Sequence, residues 1–248
     1  DWNVCLEIGI NHLGSYSLLE NIIKDSGIAE LGVSITVQIK EEDFYKTNEQ
    51  FHLTLDEHRS FIALCRTLKI PCGLALGPIS DLQALTEGGL KPDFIKTLSI
   101  SSANADFMSR VYAAYDCPKY ISVGLSDVAY IEEYIVPLMG DKDKLIHTCL
   151  SHDSADQNLG DIRLLGNLGA PVCYGLHAVD HDLIYAGIGA GADSIFFYVG
   201  DKSLDLPDFS HAIDMADIAD VVAKANACFG AMGESGDAPK SAKIAFIG

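Results

Sequence analysis

Eight short apolar runs, each followed by a longer stretch with helical spacing, recur along this chain as far as about residue 230. The runs are Val4–Ile10, Gly32–Ile39, Pro71–Leu76, Asp93–Leu98, Lys119–Val123, Lys144–Leu150, Pro171–Gly175 and Asp193–Val199. Rich in Val, Ile and Leu and apolar on both faces, they have the character of parallel strands covered by helices. The intervening segments Leu55–Leu68, Ala103–Tyr115, Val128–Met139 and Asp182–Ala190 are amphipathic, and a long one, Ala212–Phe229, closes the series. Eight such units in 248 residues average about 31 residues each, the spacing of a (β/α)8 barrel. The competing open doubly wound sheet lacks a G-x-G-x-x-G after its first strand. The pattern therefore predicts an α/β fold, a single TIM barrel with parallel strands over residues 1–230. A flexible tail is expected over 231–248, where the composition shifts to Gly, Ser, Asp and Pro. One long connection, Lys40–Leu53, follows the second strand, and loops of that length are often functional.

Charge excludes several functions. The chain carries 17 Lys+Arg against 35 Asp+Glu, a formal charge of −18. Nucleic-acid backbones and anionic membrane surfaces must be met by basic residues, so neither is expected as a partner. No apolar run approaches the roughly 18–20 residues of a spanning helix, and no signal peptide opens the chain. The seven cysteines are odd in number and form no C-x-x-C pair. Cys5, Cys72, Cys149 and Cys173 lie in or beside apolar runs, as buried thiols do, and a reducing cytoplasm is the expected location.

A barrel of this type gathers its chemistry at the C-terminal ends of its strands. Taken in order, those ends offer Glu7 with Asn11 and His12, Gln38 with Lys40, Lys96 with Ser99, and Ser122. The second half adds His147, then Tyr174 with His177, then Tyr198 and Asp201. Glu7 and Lys96 sit inside apolar strands, where an unpaired charge is costly. They are therefore either a structural ion pair or groups that meet a ligand. His147, between Ile146 and Thr148, reads equally as a core histidine or a catalytic one. His52 and His58 read as solvated, and His177 and His181 are too differently placed to share a helical face.

Five segments in chain order resemble the N-acetylneuraminate (sialic acid) synthase family. They are E-I-G-I-N-H-L-G (Glu7–Gly14), K-T-L-S-I-S-S-A-N (Lys96–Asn104), S-V-G-L (Ser122–Leu125), I-H-T-C-L-S (Ile146–Ser151, with Asn158–Leu159 following) and G-A-P-V-C-Y-G-L-H (Gly169–His177). The resemblance implies a barrel that condenses phosphoenolpyruvate with the open-chain aldehyde of an N-acyl amino sugar, giving a nonulosonate and phosphate. A divalent metal, Mn or Mg, would polarise the aldehyde. Carried over by position, Lys96, Ser99, Asn104, Ser122 and Asn158 fall around phosphoenolpyruvate. Glu7, Asn11 and His12 fall on the sugar and metal side, and His177 on one of two metal-binding histidines. We take Glu7, Lys96 and His147 as candidate catalytic residues. Asn11, His12, Gln38, Ser99, Asn104, Ser122, Asn158 and Tyr174 are candidate substrate contacts, and His177 is the candidate metal ligand.

The sequence also departs from the family pattern. Tyr198 stands where the second histidine is expected, and Phe196 and Phe197 replace a Glu-Lys pair. Thr36 replaces a phosphate-binding lysine, Gly77 a threonine, and Gly175-Leu176 a Ser-Asp pair. A phenol ionises only near pH 10 and is a weak ligand for Mn or Mg. Asp180, His181 and Asp201 are the candidate substitute ligands. The family's C-terminal antifreeze-like domain has no counterpart in the 248 residues, and homo-oligomerisation is left open. Two further readings stand beside the synthase: a metal-independent aldolase using Lys96 as a Schiff-base lysine, and a non-catalytic sugar- or anion-binding relative.

Overall fold

A computed structural model of the chain describes residues 3–233. Eight parallel strands close into a barrel: β1 Val4–Gly9, β2 Ser34–Ile39, β3 Cys72–Leu76, β4 Phe94–Thr97, β5 Lys119–Ser122, β6 Lys144–Thr148, β7 Val172–Leu176 and β8 Ile195–Gly200. Each pairs with the next, and β1 pairs with β8, so Glu7 lies beside Thr36 on one side and Tyr198 on the other. The expected (β/α)8 barrel is the observed fold.

The helices are α1 Tyr16–Asp25, α2 Glu42–Thr47, α3 Leu55–Leu68, α4 Leu82–Glu87, α5 Ser99–Ser102, α6 Ala105–Ala114, α7 Val128–Tyr130, α8 Asp161–Gly166, α9 Leu183–Ala190 and α10 Ile218–Met232. The α3 boundaries match the sequence reading because Thr54 and Glu57 form a capping box: the Glu57 amide donates to Thr54 Oγ1 and the Thr54 amide to Glu57 Oε2.

Three expectations are corrected. The segment Val128–Met139 is not one α-helix but α7, a π-helical turn Ile131–Ile135 and a 3-10 turn Val136–Leu138, where Pro137 supplies no amide donor. The segment from Ala212 does not begin a helix; Ile213–Asp214 forms a short ninth strand, β9, parallel to the end of β8, and α10 starts only at Ile218. The Lys40–Leu53 connection contains α2 and a 3-10 turn at Glu49–Phe51. The helix that closes the barrel runs to Met232, and the expected tail from residue 234 onward lies outside the described residues.

Strand alternation divides the side chains into two sets. Cys5, Phe94, Tyr120, Ile146, Cys173 and Phe196 point inward and fill the lower barrel, with the Phe94 and Tyr120 rings 5.1 Å apart. Gly73 admits Phe94 to this layer, since a Cβ there would lie 2.3 Å from the ring. The alternate set, including Leu6, Ile35, Leu74, Ile95, Ile121, Leu145, Tyr174 and Phe197, packs outward against the helices in a single large core. With this layer plugging the interior below, the upper end, at the C-terminal ends of the strands, is where a barrel of this type keeps its chemistry.

The cysteines are all free thiols, and Cys5, Cys65, Cys72 and Cys173 are buried. Cys149 is only half-buried, because β6 ends at Thr148. No helix among the described residues is long and apolar enough to cross a membrane.

Candidate active site at the barrel mouth

One alternation step above the aromatic plug, Glu7 from β1 and Lys96 from β4 point inward and form an ion pair, their side chains 3% and 5% exposed. Lys96 Nζ donates to Glu7 Oε1 and stands over the Phe196 ring. From β2, Gln38 Nε2 donates to Tyr198 Oη of β8 at 2.7 Å. Above this floor opens a cavity of about 260 Å³. Lys40, Lys96, Gln38, Ser99, Ser122, Thr148, His177 and Tyr198 form its polar lining, and four aliphatic side chains complete it. Among the described residues that line it are two lysines and no carboxylate. Since Glu7 pairs with Lys96 from below, the uncompensated positive charge at this cavity is that of Lys40. Ser99 Oγ is buried there with no hydrogen-bond partner, at the residue that opens α5.

A histidine–tyrosine cluster forms the other wall. The His177 ring meets the edge of Tyr198 at 5.3 Å and stacks on His211 at 5.2 Å, and His211 lies 4.8 Å from His152. Burial, the Lys96 charge and His211 hold His177 down at about 3, and burial with His152 holds His211 at about 4. Both rings are therefore neutral at physiological pH. Burial, reinforced by Glu7 and Asp208, pushes the Tyr198 phenol well above its usual range, so it is a neutral hydroxyl. Burial raises Asp208 to about 6 against the pull of Lys40.

These donors do not suit the divalent metal that the motif resemblance implies. Among the described residues no three His, Cys, Asp or Glu side chains converge on a point. His177 and His211 stack rather than aim at a shared centre, and the phenol that replaces imidazole is neutral. The substitute ligands are committed elsewhere: Asp201 accepts from the Ser203 amide, Asp180 from the Asp182 amide, and His181 Nε2 meets the His211 carbonyl.

The structure gathers Glu7, Gln38, Lys96, Ser99, Ser122 and His177 at the mouth. Asn11 lies at its edge as a structural clamp, donating to the Val199 carbonyl and accepting from the Asp208 amide. The other candidates fall elsewhere. His12 Nδ1 accepts from the Gly14 amide, and burial with the nearby His58 lowers it to about 4. His58 is itself buried rather than solvated, its Nδ1 against the Thr54 carbonyl. Asn104 is exposed and caps α6 through the Phe107 amide. Asn158 is exposed, with φ of +47°, and donates to Asp161. His147 and Tyr174 are on the outward set of β6 and β7: His147 Nε2 lies 2.8 Å from the Gln157 carbonyl, and Tyr174 Oη donates to Gln157 Oε1. Gly187 of α9 makes room for the Tyr174 ring, since a Cβ would sit 2.5 Å from it. His152, Asp208 and His211 were missed by motif reading. The available signal was their position in loops beyond β6 and β8, where a barrel keeps its chemistry.

Solved structures similar to this chain share the fold at low identity. The N-acetylneuraminic acid (sialic acid) synthetase of Leptospira borgpetersenii serovar Hardjo-bovis, in complex with citrate, superposes with a TM-score of 0.85 at 18% identity, covering 98% of this chain and 89% of that one. A putative spore coat polysaccharide biosynthesis protein E from Chromobacterium violaceum gives 0.80 at 16% identity, covering 96% and 78%. A truncated 3-deoxy-D-arabino-heptulosonate 7-phosphate synthase from Thermotoga maritima gives 0.72 at 14% identity, covering 93% and 87%. No curated protein matches the sequence. The model of the NeuB family matches residues 20–237, nearly the whole barrel, and this chain belongs to that family.

Proposed function

We propose that this protein is a carbon–carbon bond-forming synthase of carbohydrate biosynthesis that joins phosphoenolpyruvate to the open-chain aldehyde of an N-acyl amino sugar. The reading is carried by the donors of this cavity: Lys40, in no ion pair among the described residues, Lys96, shared with Glu7, and the unpartnered buried Ser99 hydroxyl, in a strongly acidic chain. Charge-assisted hydrogen bonds are the strongest available to a carboxylate or phosphate. Membership of the NeuB family supports this choice of reaction.

In this reading Lys40 and Lys96 meet the anionic groups, with Ser99 and Ser122 as hydroxyl donors. The enol C3 attacks the aldehyde carbon, forming the new C–C bond, while the aldehyde oxygen takes a proton. Water adds at C2, the C2–O bond to phosphate breaks, and inorganic phosphate leaves. Tyr198, kept neutral and oriented by Gln38, donates to the aldehyde oxygen as its charge grows. Glu7, in contact with Lys96 and Tyr198, receives a proton released by the added water and returns it to Tyr198, replacing the one given to the aldehyde oxygen.

The test is phosphate release from phosphoenolpyruvate with N-acetylmannosamine, with and without Mn²⁺, beside calorimetric titration of phosphoenolpyruvate. Ser99→Ala is expected to weaken phosphoenolpyruvate binding several-fold without loss of stability. Absence of both heat and phosphate refutes the reading for this pair. The poor metal donor set around His177 and Tyr198 favours one other account, metal-independent Schiff-base chemistry on Lys96. Borohydride with pyruvate would then leave a covalent adduct on Lys96, whereas the ion pair with Glu7 predicts none.

A further inference from the structure

Of the two lysines at the mouth, Lys40 is in no ion pair among the described residues, although Glu41, Glu42 and Asp43 follow it directly. Each of these carboxylates is turned elsewhere. Glu42 Oε1 accepts from the amide and the hydroxyl of Ser80, and Asp43 pairs with Lys46. Glu41 lies against Gly77, where a Cβ would stand 2.9 Å from Glu41 Oε2. What Lys40 meets instead is aromatic. Its Nζ lies 5.3 Å from the centre of the Phe44 ring, and its amide donates to Tyr45 Oη at 3.1 Å. A carboxylate partner would fix the ammonium but cancel its charge, whereas the face of a ring fixes it and leaves the charge available to an anion.

We propose that Phe44 and Tyr45 are positioning residues for Lys40, holding its ammonium at the cavity as an uncancelled cation for the anionic group of the substrate. The inference rests on the anion-binding role given to Lys40 in the proposed function, and it assigns the Lys40–Leu53 connection its task. Phe44 sets the side chain, and Tyr45 sets the backbone where β2 ends. A lysine stem free in water samples many rotamers, and ordering it on binding lowers affinity; a ring already beneath the ammonium removes part of that cost. The rings are themselves held. Phe44 stacks on Phe51 of the 3-10 turn at 6.4 Å, and Tyr45 meets His52 edge-on at 4.7 Å. The connection is pinned at two points: by Glu42 to the loop after β3, and by Gln50, whose carbonyl would lie 2.1 Å from a Cβ at Gly14. Neither Phe44 nor Tyr45 lines the cavity, so both act through Lys40.

The experiment is calorimetric titration of the full chain with phosphoenolpyruvate and, separately, with inorganic phosphate, over a double-variant cycle of Phe44→Leu and Lys40→Met. Phe44→Leu is expected to weaken anion binding about two- to five-fold, the range of a cation–π contact at a half-buried ring. Phe44→Tyr, which keeps the π face, should restore it. Tyr45→Phe should weaken binding about two-fold, since the Lys40 amide loses its acceptor. Lys40→Met should weaken it at least ten-fold, roughly the loss of one charge-assisted bond, and in that background Phe44→Leu should change nothing further. A merely structural role would weaken binding by the same factor in both backgrounds. That equal loss, undiminished binding by Phe44→Leu, or no rescue by Phe44→Tyr overturns the positioning and leaves the synthase reading intact. Failure of phosphoenolpyruvate to bind while inorganic phosphate binds and shows the cycle overturns the synthase reading and leaves the positioning standing. Binding of neither anion overturns both.

Discussion

Replacing Lys96 with Met tests the central ion pair most directly. The substitution keeps the length of an apolar stem and removes the ammonium, leaving Glu7, 3% exposed, without its cation. An isolated carboxylate inside a barrel is costly, and breaking one side of a buried pair costs about 3–5 kcal/mol. In a domain of this size 1 kcal/mol moves the midpoint by about 2–4 °C, so the expected fall is roughly 6–20 °C. Adding Glu7→Gln removes the stranded charge, and the double variant should recover most of that loss, because the amide still reaches the Tyr198 hydroxyl. Guanidinium titration of the wild type, both single variants and the double variant closes the cycle. A Lys96→Met protein within 0.5 kcal/mol of wild type would refute the reasoning, as would a double variant no more stable than the worse single one. Phosphoenolpyruvate titration of the stable double variant then isolates function, since it should fold yet bind the anion at least ten-fold more weakly.

Tyr198→His places an imidazole beside His177 and Glu7 and should create Mn²⁺ binding, read as loss of the free-ion electron paramagnetic resonance signal, where the wild type leaves that signal intact. Stability should fall steeply on acidification. His12, His177 and His211 are held neutral at about 4, 3 and 4, so the stability tied to their neutral forms is present above the unfolded value of 6.5 and is lost as pH drops towards 4. Asp208, raised to about 6, opposes this: its contribution is present at acid pH and lost as pH rises through 6. A net uptake of about two protons on unfolding near pH 5 corresponds to a slope of roughly 2–3 kcal/mol per pH unit; denaturation midpoints that stay level between pH 6.5 and 4.5 would contradict it. His147→Ala should cost about 1–3 kcal/mol by stranding the Gln157 carbonyl while phosphoenolpyruvate affinity stays unchanged; a binding loss without a stability loss would place His147 in the site instead.

The barrel was legible because its determinants are local and periodic. Eight buried strands spaced by amphipathic helices have few ways to cover both faces of a parallel sheet, and the Thr54–Glu57 capping box even marks where α3 begins. Glu7 and Lys96 were legible for a related reason: charges inside apolar strands must answer each other or a ligand, and they do. Which face a strand residue takes was not legible. His147 and Tyr174 lie at the ends of apolar runs just as Ser122 and His177 do, yet pleat parity turns them into the helix layer, where Gln157 and Gly187 receive them. A one-residue phase separates an active site from a core, and both sides of these strands are apolar, so the sequence alone supplies no sign. The π-turn after α7, the short β9 and the stacking of His211 on His177 depend on contacts between distant segments. Sequence by itself determined the closed parallel barrel and the charges that need partners. The tertiary structure alone decided which of the polar residues share a cavity, because that depends on strand register around a closed ring.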